Sequence, residues 1–545
     1  MNTFSRRSLL LGGVAVAGGG VLAACTGSNG TSGVSGMGAS GSASATAGAA
    51  LISPADPRIE AAERKRTSTG RTTTVRLTAQ PGTLDLGGTT VNTWAFDGQL
   101  PGKTIRLSTG DTLDAQIINH LTVPTAVHWH GVALRNDMDG VPPITQSAVA
   151  PGSSFTYRFI ADAPGTYWFH PHVGVQLDRG LYGALIVADP HEPLAYDDEW
   201  VVVLDDWLDG VTGTPDQVFA ELRKGMSGMG GMNTGGASAS PSTTGMGSMS
   251  GMDMGGASAS STGGTGSTFM LSGATSALLA GDAGDVKYPY HLVNGRVPAD
   301  PEVYTSKPGS RVRIRMINAG GDTAYRVALA GHKLTITHTD GFPVQHQQVD
   351  AVLIGPGERY DVLVTLGDGV FPLTALAEGK GAAGRALVRT GSGRTPAASV
   401  RPAELDGMIM TASQLRPTDE VRLAPKTADV THRLELTGSM GAYDWTINGV
   451  RFDMNNPTAS PFTVNQGQRA RLQFVNKTKM WHPMHLHGHT YRLGATGPRK
   501  DTAIVLPGAT VTCDFDADNP GQWLLHCHNV YHGENGMMGL LGYLA

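Results

Sequence analysis

The sequence predicts an all-β protein that contains several β-sandwich domains. Short runs rich in Val, Ile, Thr and aromatic residues are separated by Gly, Pro, Asn and Asp, which is the pattern of strands joined by turns. Clear examples are residues 72–77, 112–118, 155–159 and 184–187. Pro-Gly pairs at 151, 308, 356 and 507 adjoin such runs. A chain of 545 residues is long for a single core, so we expect more than one domain.

The N-terminus has the pattern of an export signal. Arg6 and Arg7 precede a short apolar, glycine-rich run to Val21, which is typical of a twin-arginine signal. The run is short for a membrane span and ends in Leu-Ala-Ala-Cys at 22–25, like a bacterial lipoprotein cleavage site. We expect Cys25 to carry a lipid that anchors the protein to the extracytoplasmic face of the cell membrane. A plain signal that is removed together with Cys25 is the alternative.

Residues 26–66 are rich in Gly, Ser, Ala and Thr and predict a flexible tether. A net charge of -5 gives no sign of a nucleic-acid partner, and a monomer is expected. With Cys25 lipidated and Cys527 bound to metal, no disulfide is expected. Cys513 is then a small buried residue in a strand over residues 510–515.

Four well-separated histidine pairs have the spacing His-x-His, far more than chance placement of 18 His would give. In a strand, residues two apart face the same side, so each pair can offer both imidazoles to one site. Imidazole suits copper. The histidine pairs have no carboxylate pair beside them, which argues against magnesium, calcium or structural zinc as the metal. The pairs are His128 and His130, His170 and His172, His485 and His487, and His526 and His528.

The last pair encloses a cysteine that predicts a second kind of site. Strand alternation turns Cys527 away from its two histidine neighbours, so one segment can serve two metal sites back to back. A thiolate, two imidazoles and a weak axial thioether form a blue-copper electron-transfer site. Cys527, His532 and Met537 supply three of these ligands, and His482 supplies the fourth.

Together, in this order and with the full ligand count, these motifs resemble those of the multicopper oxidase family. The resemblance implies three cupredoxin-like Greek-key β-barrels, with a trinuclear copper cluster between the first and the last. It also implies four copper ions that pass electrons from a reductant to dioxygen and form water. The implied ligands are His482, Cys527, His532 and Met537 for type 1, His128 and His485 for type 2, His130, His170 and His528 for one type 3 ion, and His172, His487 and His526 for the other.

We place the barrels at residues 67–195, 196–398 and 425–545, with 399–424 as a connector. The middle barrel has no ligand motif, and its His291, His332, His338 and His346 are expected to be structural.

An insertion at residues 225–266 belongs to no barrel. Its Gly, Ser, Thr and Ala cannot bury enough apolar surface to fold, yet it contains seven methionines. Thioethers are soft ligands that select Cu(I), so we interpret the insertion as a Cu(I)-collecting loop; a low-complexity linker is the alternative. The methionines are Met226, Met229, Met232, Met246, Met249, Met252 and Met254.

Two acidic residues are candidates for proton delivery to the cluster. Asp139, nine residues after His130, matches an acid of the family, and a solvated turn aspartate is the alternative. A second family acid directly follows the last type 1 histidine, but Gly533 stands there and Glu534 comes one residue later. Either Glu534 or a chain of waters would take its place.

Glu534 has a second candidate role in binding the substrate metal. In copper-oxidising relatives, an acid at this spacing and a Met two residues before the first type 1 histidine help to bind Cu(I). Met480 occupies that Met position, although Thr478 replaces a further acid expected there. We therefore predict a substrate Cu(I) site that includes Met480 and Glu534.

The whole pattern resembles bacterial three-domain, laccase-like oxidases of copper resistance, especially exported actinobacterial lipoproteins. This implies oxidation of Cu(I) to Cu(II), with Fe(II) and phenols as further reductants. A laccase acting mainly on phenols is one alternative. A copper-sequestering lipoprotein without activity is another, although a store needs no electron relay from cysteine to histidine.

Overall fold

The regular secondary structure of the described residues is mostly β-strand, which confirms the predicted all-β class. The structure is a computed structural model that describes residues 50–226 and 267–545. The predicted export signal, Cys25 and the insertion methionines other than Met226 lie outside the described residues. Within the described ranges, no helix is both long and apolar enough to cross a membrane.

The first domain pairs two four-stranded sheets, with orders β2-β1-β4-β6 and β3-β8-β7-β5. Alternation explains the core: in β4, Leu113, Ala115 and Ile117 are buried and the residues between them are less so. The strands are β1 Thr72–Asp85, β2 Thr90–Phe96, β3 Gly102–Ser108, β4 Asp111–Asn119, β5 His128–His130, β6 Ser154–Ala161, β7 Gly165–His170 and β8 Gly183–Ala188.

The middle domain pairs two six-stranded sheets, β12-β9-β14-β19-β16-β17 and β13-β21-β20-β15-β18-β22, beside the small pair β10-β11. Its strands are β9 Asp198–Trp207, β10 Thr275–Ser276, β11 Gly281–Asp282, β12 Tyr290–Val293, β13 Val303–Thr305, β14 Arg311–Asn318, β15 Tyr325–Leu329, β16 Leu334–Thr339, β17 Phe342–Val349, β18 Ala351–Ile354, β19 Arg359–Thr365, β20 Val370–Ala377, β21 Ala382–Arg389 and β22 Ile409–Met410.

The third domain pairs a six-stranded sheet, β24-β23-β26-β31-β28-β29, with the five-stranded sheet β25-β33-β32-β27-β30. Cys513 lies buried in β31, as predicted. The strands are β23 Val430–Thr437, β24 Thr446–Ile447, β25 Phe462–Val464, β26 Arg469–Asn476, β27 His482–Leu486, β28 Tyr491–Leu493, β29 Arg499–Lys500, β30 Thr502–Val505, β31 Thr510–Asp516, β32 Gln522–Cys527 and β33 Met538–Tyr543.

The described part of the chain also contains the α-helices α1 Pro57–Glu63, α2 Pro215–Leu222 and α3 Val530–Glu534. Helix α1 corrects the predicted tether, because residues 50–66 pack on the domains. Ile52 and Ile59 are buried, and the Ile52 amide donates to the Tyr543 carbonyl at 2.7 Å. Apolar side chains in a Gly- and Ser-rich stretch therefore mark the point where the folded part begins.

The predicted connector at 399–424 is also partly sheet. Its β22 pairs in parallel with β18 of the middle domain, Ala351 opposite Ile409. In the same domain His291 lies buried with Nδ1 2.8 Å from the Tyr325 hydroxyl, which agrees with a structural role.

The histidine pairs lie on neighbouring strands of two sheets. In the first domain β5 pairs with β7, and His128 stands opposite His170. In the third domain β27 pairs with β32, and His485 stands opposite His526. The site is thus assembled at the junction of the first and third domains.

Candidate metal centres

The predicted type 1 ligands meet inside the third domain. The Cys527 Sγ lies 3.6 Å from His482 Nδ1 and 3.7 Å from His532 Nδ1, and the two nitrogens are 3.1 Å apart. All three side chains and Met537 are buried. One thiol and two imidazoles converging at this distance fit a single copper ion.

The local sequence explains how three of these ligands converge. Strand β32 ends at Cys527, and the Asn529 side chain caps α3 by accepting from the amides of Tyr531 and His532. The helix turns His532 back over Cys527. The Met537 amide donates to the His532 carbonyl, and the Met537 carbonyl accepts from the Cys527 amide, each at 3.0 Å.

The far nitrogens of the two type 1 imidazoles are also held. His482 Nε2 lies 2.8 Å from Thr478 Oγ1, and His532 Nε2 lies 2.8 Å from Asp285 Oδ2. The same Asp285 oxygen accepts from the Tyr443 hydroxyl at 2.8 Å. These contacts leave both Nδ1 atoms facing Cys527. Asp285 belongs to the middle domain and had no signal in the sequence, since a single buried aspartate looks like any turn residue there.

The other eight imidazoles form one buried cluster, four from the first domain and four from the third. His526 Nε2 lies 3.0 Å from His487 Nε2 and 3.4 Å from His172 Nε2, so the three ligands predicted for one type 3 ion come together. His526 and Cys527, adjacent in β32, therefore contribute to two different centres, as strand alternation requires.

The cluster passes a simple test for metal binding. Buried polar atoms in proteins are almost always hydrogen-bonded, yet several cluster nitrogens have no hydrogen-bond partner among the described residues. Burial and the neighbouring imidazoles lower the pKa of His170, His172 and His528 well below the ordinary value, which keeps these rings in the neutral form that binds metal. The unpartnered nitrogens are Nε2 of His128, His170 and His485, Nδ1 of His130, and both nitrogens of His528.

Asp139 lies inside this cluster, so the alternative of a solvated turn residue is wrong. Its side chain is fully buried, and Oδ2 lies 3.0 Å from His487 Nδ1. Its backbone carbonyl oxygen lies 3.0 Å from His128 Nδ1. Asp139 therefore holds the far nitrogens of two rings whose Nε2 atoms point into the cluster.

Glu534 and Met480 lie in different surroundings, and a common Cu(I) site for them stays a prediction. Glu534 lines a cavity of about 20 Å³, large enough for one water, together with the trinuclear ligands His170, His172 and His526. Burial raises the pKa of Glu534 to about 7. Met480 is buried in the apolar core and is not among the residues that line this cavity. The short helix α3 is the reason, because it directs Glu534 toward the trinuclear ligands.

A second aspartate at the cluster, Asp501, was missing from the sequence prediction. Its Oδ1 lies 3.0 Å from His130 Nε2, and its carbonyl oxygen lies 3.0 Å from His485 Nδ1. Burial among ligands from two domains cannot be read from one sequence.

Comparison with known proteins agrees with this geometry. Three family models described as multicopper oxidase match residues 78–192, 256–392 and 425–542. The chain is 45% identical to Multicopper oxidase MmcO of Mycobacterium tuberculosis, over 99% of this chain and 97% of that protein. The chain belongs to the multicopper oxidase family. Four copper ions, one of type 1, one of type 2 and two of type 3, are the cofactor of this family, and the buried thiol and imidazole clusters suit them.

Other multicopper oxidase relatives are more distant. The chain is 28% identical to the Copper resistance protein A homolog of Pseudomonas syringae, over 83% of this chain and 90% of that protein. Its fold matches the crystal structure of laccase from Botrytis aclada with a TM-score of 0.65 at 24% identity, over 89% of this chain and 90% of that one. That likeness supports the cupredoxin-like architecture of the domains.

Proposed function

We propose that this multicopper oxidase oxidises Cu(I) to Cu(II) with dioxygen as the electron acceptor, and so protects the cell from copper. Fe(II) and phenols are further reductants in this proposal. One observation carries it: both ends of the methionine-rich insertion are hydrogen-bonded to segments that contain Asp285, the carboxylate partner of His532, or Tyr443, which donates to Asp285.

The N-terminal end of the insertion lies against the third domain. The Met226 amide donates to the Met440 carbonyl at 3.2 Å. Gly225 packs so closely on Gly441 that a Cβ there would lie 2.3 Å from the Gly441 carbonyl oxygen. Tyr443, two residues further on, donates to Asp285. The insertion therefore begins on the loop that contacts the outer partner of His532.

The C-terminal end returns to the same place from the other side. The Leu271 amide donates to the Asp285 carbonyl at 2.6 Å, and the Lys287 amide donates to the Phe269 carbonyl at 2.8 Å. The strand-like segment that follows the insertion is thus hydrogen-bonded to the segment that holds Asp285. A Cu(I) ion carried by thioethers of the insertion would be released near a carboxylate bonded to a type 1 imidazole.

The charge beside the type 1 imidazoles favours a cation over a phenol. His482 and His532 are both 0% exposed, so a reductant contacts neither imidazole directly and is selected by the groups around them. The Asp285 carboxylate beside His532 attracts a cation and repels a phenolate. Phenols would then be oxidised more slowly, from a greater distance.

When bound, the four copper ions supply one-electron transfer from the reductant and reduction of dioxygen to water. The chain supplies the connection and the proton-bearing groups. Cys527 is bonded through the backbone to His526 and His528, so the type 1 thiol and the cluster imidazoles are adjacent. Asp139 and Glu534 provide carboxyl oxygens at the cluster, where proton delivery requires them.

The proposed place of action is the extracytoplasmic face of the membrane, reached by twin-arginine export and held by a lipid on Cys25. Residues 26–49 would then be the tether. Globomycin-sensitive processing and labelling with a fatty acid would test the anchor, and a Cys25→Ala variant that still labels would contradict it.

The test of function is dioxygen uptake by copper-loaded mature protein, with Cu(I) and a phenol as alternative reductants. Two variants isolate the insertion: deletion of residues 227–266, and replacement of its seven methionines by serine at unchanged length. We expect both to raise KM for Cu(I) about tenfold, the effect of ~1.4 kcal/mol, and to leave phenol oxidation unchanged.

Three results would contradict parts of the proposal. An unchanged KM for Cu(I) in both variants would reduce the insertion to a linker. Fast phenol oxidation with negligible Cu(I) oxidation would make the protein a laccase. No uptake with either reductant would favour copper storage.

A further inference from the structure

We propose that Arg359, in the middle domain that contributes no copper ligand, is a positioning residue for the trinuclear cluster. Through Asp501 it fixes the rings of His130 and His485, which come from the first and third domains. This inference rests on the assignment of these two histidines as copper ligands.

Asp501 is the link between the arginine and the two rings. Its Oδ1 lies 3.0 Å from His130 Nε2, while His485 Nδ1 lies 3.0 Å from its carbonyl oxygen and 3.4 Å from Oδ1. The neighbouring Thr502 hydroxyl donates to Asp501 Oδ1 at 2.9 Å and lies 3.1 Å from His485 Nδ1. Asp501 thus holds a ring from each of two domains, His130 through its carboxylate and His485 through its carbonyl oxygen.

Arg359 fixes this carboxylate with a two-pronged ion pair. Its Nη1 and Nη2 donate to Asp501 Oδ1 and Oδ2 at 2.7 and 2.6 Å. Its Nε donates to the Thr166 carbonyl of the first domain at 3.1 Å, and Nη1 also donates to Gly357 at 3.0 Å. Both partners of the pair are fully buried, so the planar guanidinium joins all three domains.

The backbone packs closely around the ion pair of Arg359 and Asp501. Gly131, directly after His130, has φ +84°, and a Cβ there would lie 2.3 Å from Arg359 Nη2. A Cβ on Gly357 would lie 2.8 Å from His528 Cδ2 and 3.1 Å from His130 Cε1. Glycine is needed at both places because the arginine and the imidazoles approach the backbone so closely.

The ion pair of Arg359 and Asp501 also determines which nitrogen of His130 and of His485 is left to bind copper. His130 uses Nε2 for Asp501 and its Nδ1 has no partner in residues 50–226 and 267–545, whereas His485 uses Nδ1 and its Nε2 has none there. The partner of the far nitrogen fixes the orientation and tautomer of a ligating histidine. Arg359 thereby sets the inward face of two rings that it does not touch.

The experiment compares Arg359→Met and Arg359→Lys with a matched control, Arg313→Met. Arg313 is an equally buried arginine of the middle domain whose Nε and Nη2 donate to Asp361, with no contact to a cluster histidine among its hydrogen bonds. Each protein is loaded with Cu(II). Copper content, the type 2 signal in electron paramagnetic resonance, type 1 absorption and the melting temperature are then measured.

We expect both Arg359 variants to bind type 2 copper about 10- to 100-fold more weakly, with altered hyperfine splitting and type 1 absorption retained. Arg313→Met should lower the melting temperature but keep the wild-type signal. Arg359→Lys keeps the buried charge and decides the matter if Arg359→Met does not fold. Wild-type affinity and hyperfine splitting in the Arg359 variants would overturn the positioning role. Absence of a type 2 signal in loaded wild-type protein would instead overturn the ligand assignment on which it rests.

Discussion

Asp285→Asn is expected to weaken Cu(I) oxidation by removing one charge beside the type 1 site. His532 Nε2 lies 2.8 Å from Asp285 Oδ2 and both side chains are buried, so a Cu(I) ion would approach from the outer side of Asp285, to within about 4 Å of the carboxylate. At an effective dielectric constant of ~20, that attraction is about 4 kcal/mol. Desolvation of the cation lowers the net contribution to ~2 kcal/mol. We therefore expect KM for Cu(I) to rise about 30-fold.

The assay is dioxygen uptake at buffered Cu(I) concentrations, repeated with a phenol. Asp205→Asn is the matched control, because Asp205 is a buried aspartate of the same domain that accepts from a tyrosine hydroxyl, that of Tyr182, at 2.7 Å. The asparagine at 285 can still accept from Tyr443, so the fold should persist. An unchanged KM for Cu(I), or an equal loss with the phenol, would refute the idea that the charge at 285 serves a cation.

Three further outcomes are expected. Cys527→Ser should abolish blue absorption and all turnover, and oxidase activity that survives would refute the type 1 assignment. Asp139→Asn should slow reoxidation of the reduced enzyme by about 10²-fold with copper content unchanged, as stopped-flow mixing with dioxygen would show. Burial, followed by the charge of Lys380, lowers the pKa of His291 from 6.5 to about 3. The free energy of unfolding therefore decreases as the pH falls from 6.5 toward 3, because the unfolded chain binds the proton more tightly. His291→Gln should therefore lose about 3 kcal/mol less than wild type between pH 7 and pH 4 in denaturant unfolding, and equal losses would exclude His291 as a cause of acid sensitivity.

The ligands were predictable because metal binding imposes short, local patterns. The spacing of His526, Cys527 and His528 follows from strand geometry alone, and the structure turns the thiol and its neighbours to opposite sides. The strands over 72–77 and 112–118 were predictable for the same reason, since burial on one face leaves a period of two.

The partners of the ligands were not predictable from one sequence. Asp285, Arg359 and Asp501 are single charged residues whose roles depend on three domains meeting, and no local period marks them. The surroundings of Glu534 could not be predicted for a related reason. Its distance in sequence from His532 suits either side of the type 1 site, and only the turn of α3 decides between them.

The cluster imidazoles are divided evenly between the first and third domains, so bound copper would link these two domains. Type 1 copper would be enclosed by a single domain, but the trinuclear ions would bridge a seam, so their binding free energy adds to the free energy of domain association. Loading and closing of the seam are then one linked equilibrium. In a protein without copper, the type 1 ligands would stay together within the third domain, while the contact between the first and third domains would be weaker. That contact would become stronger as the trinuclear ions bind.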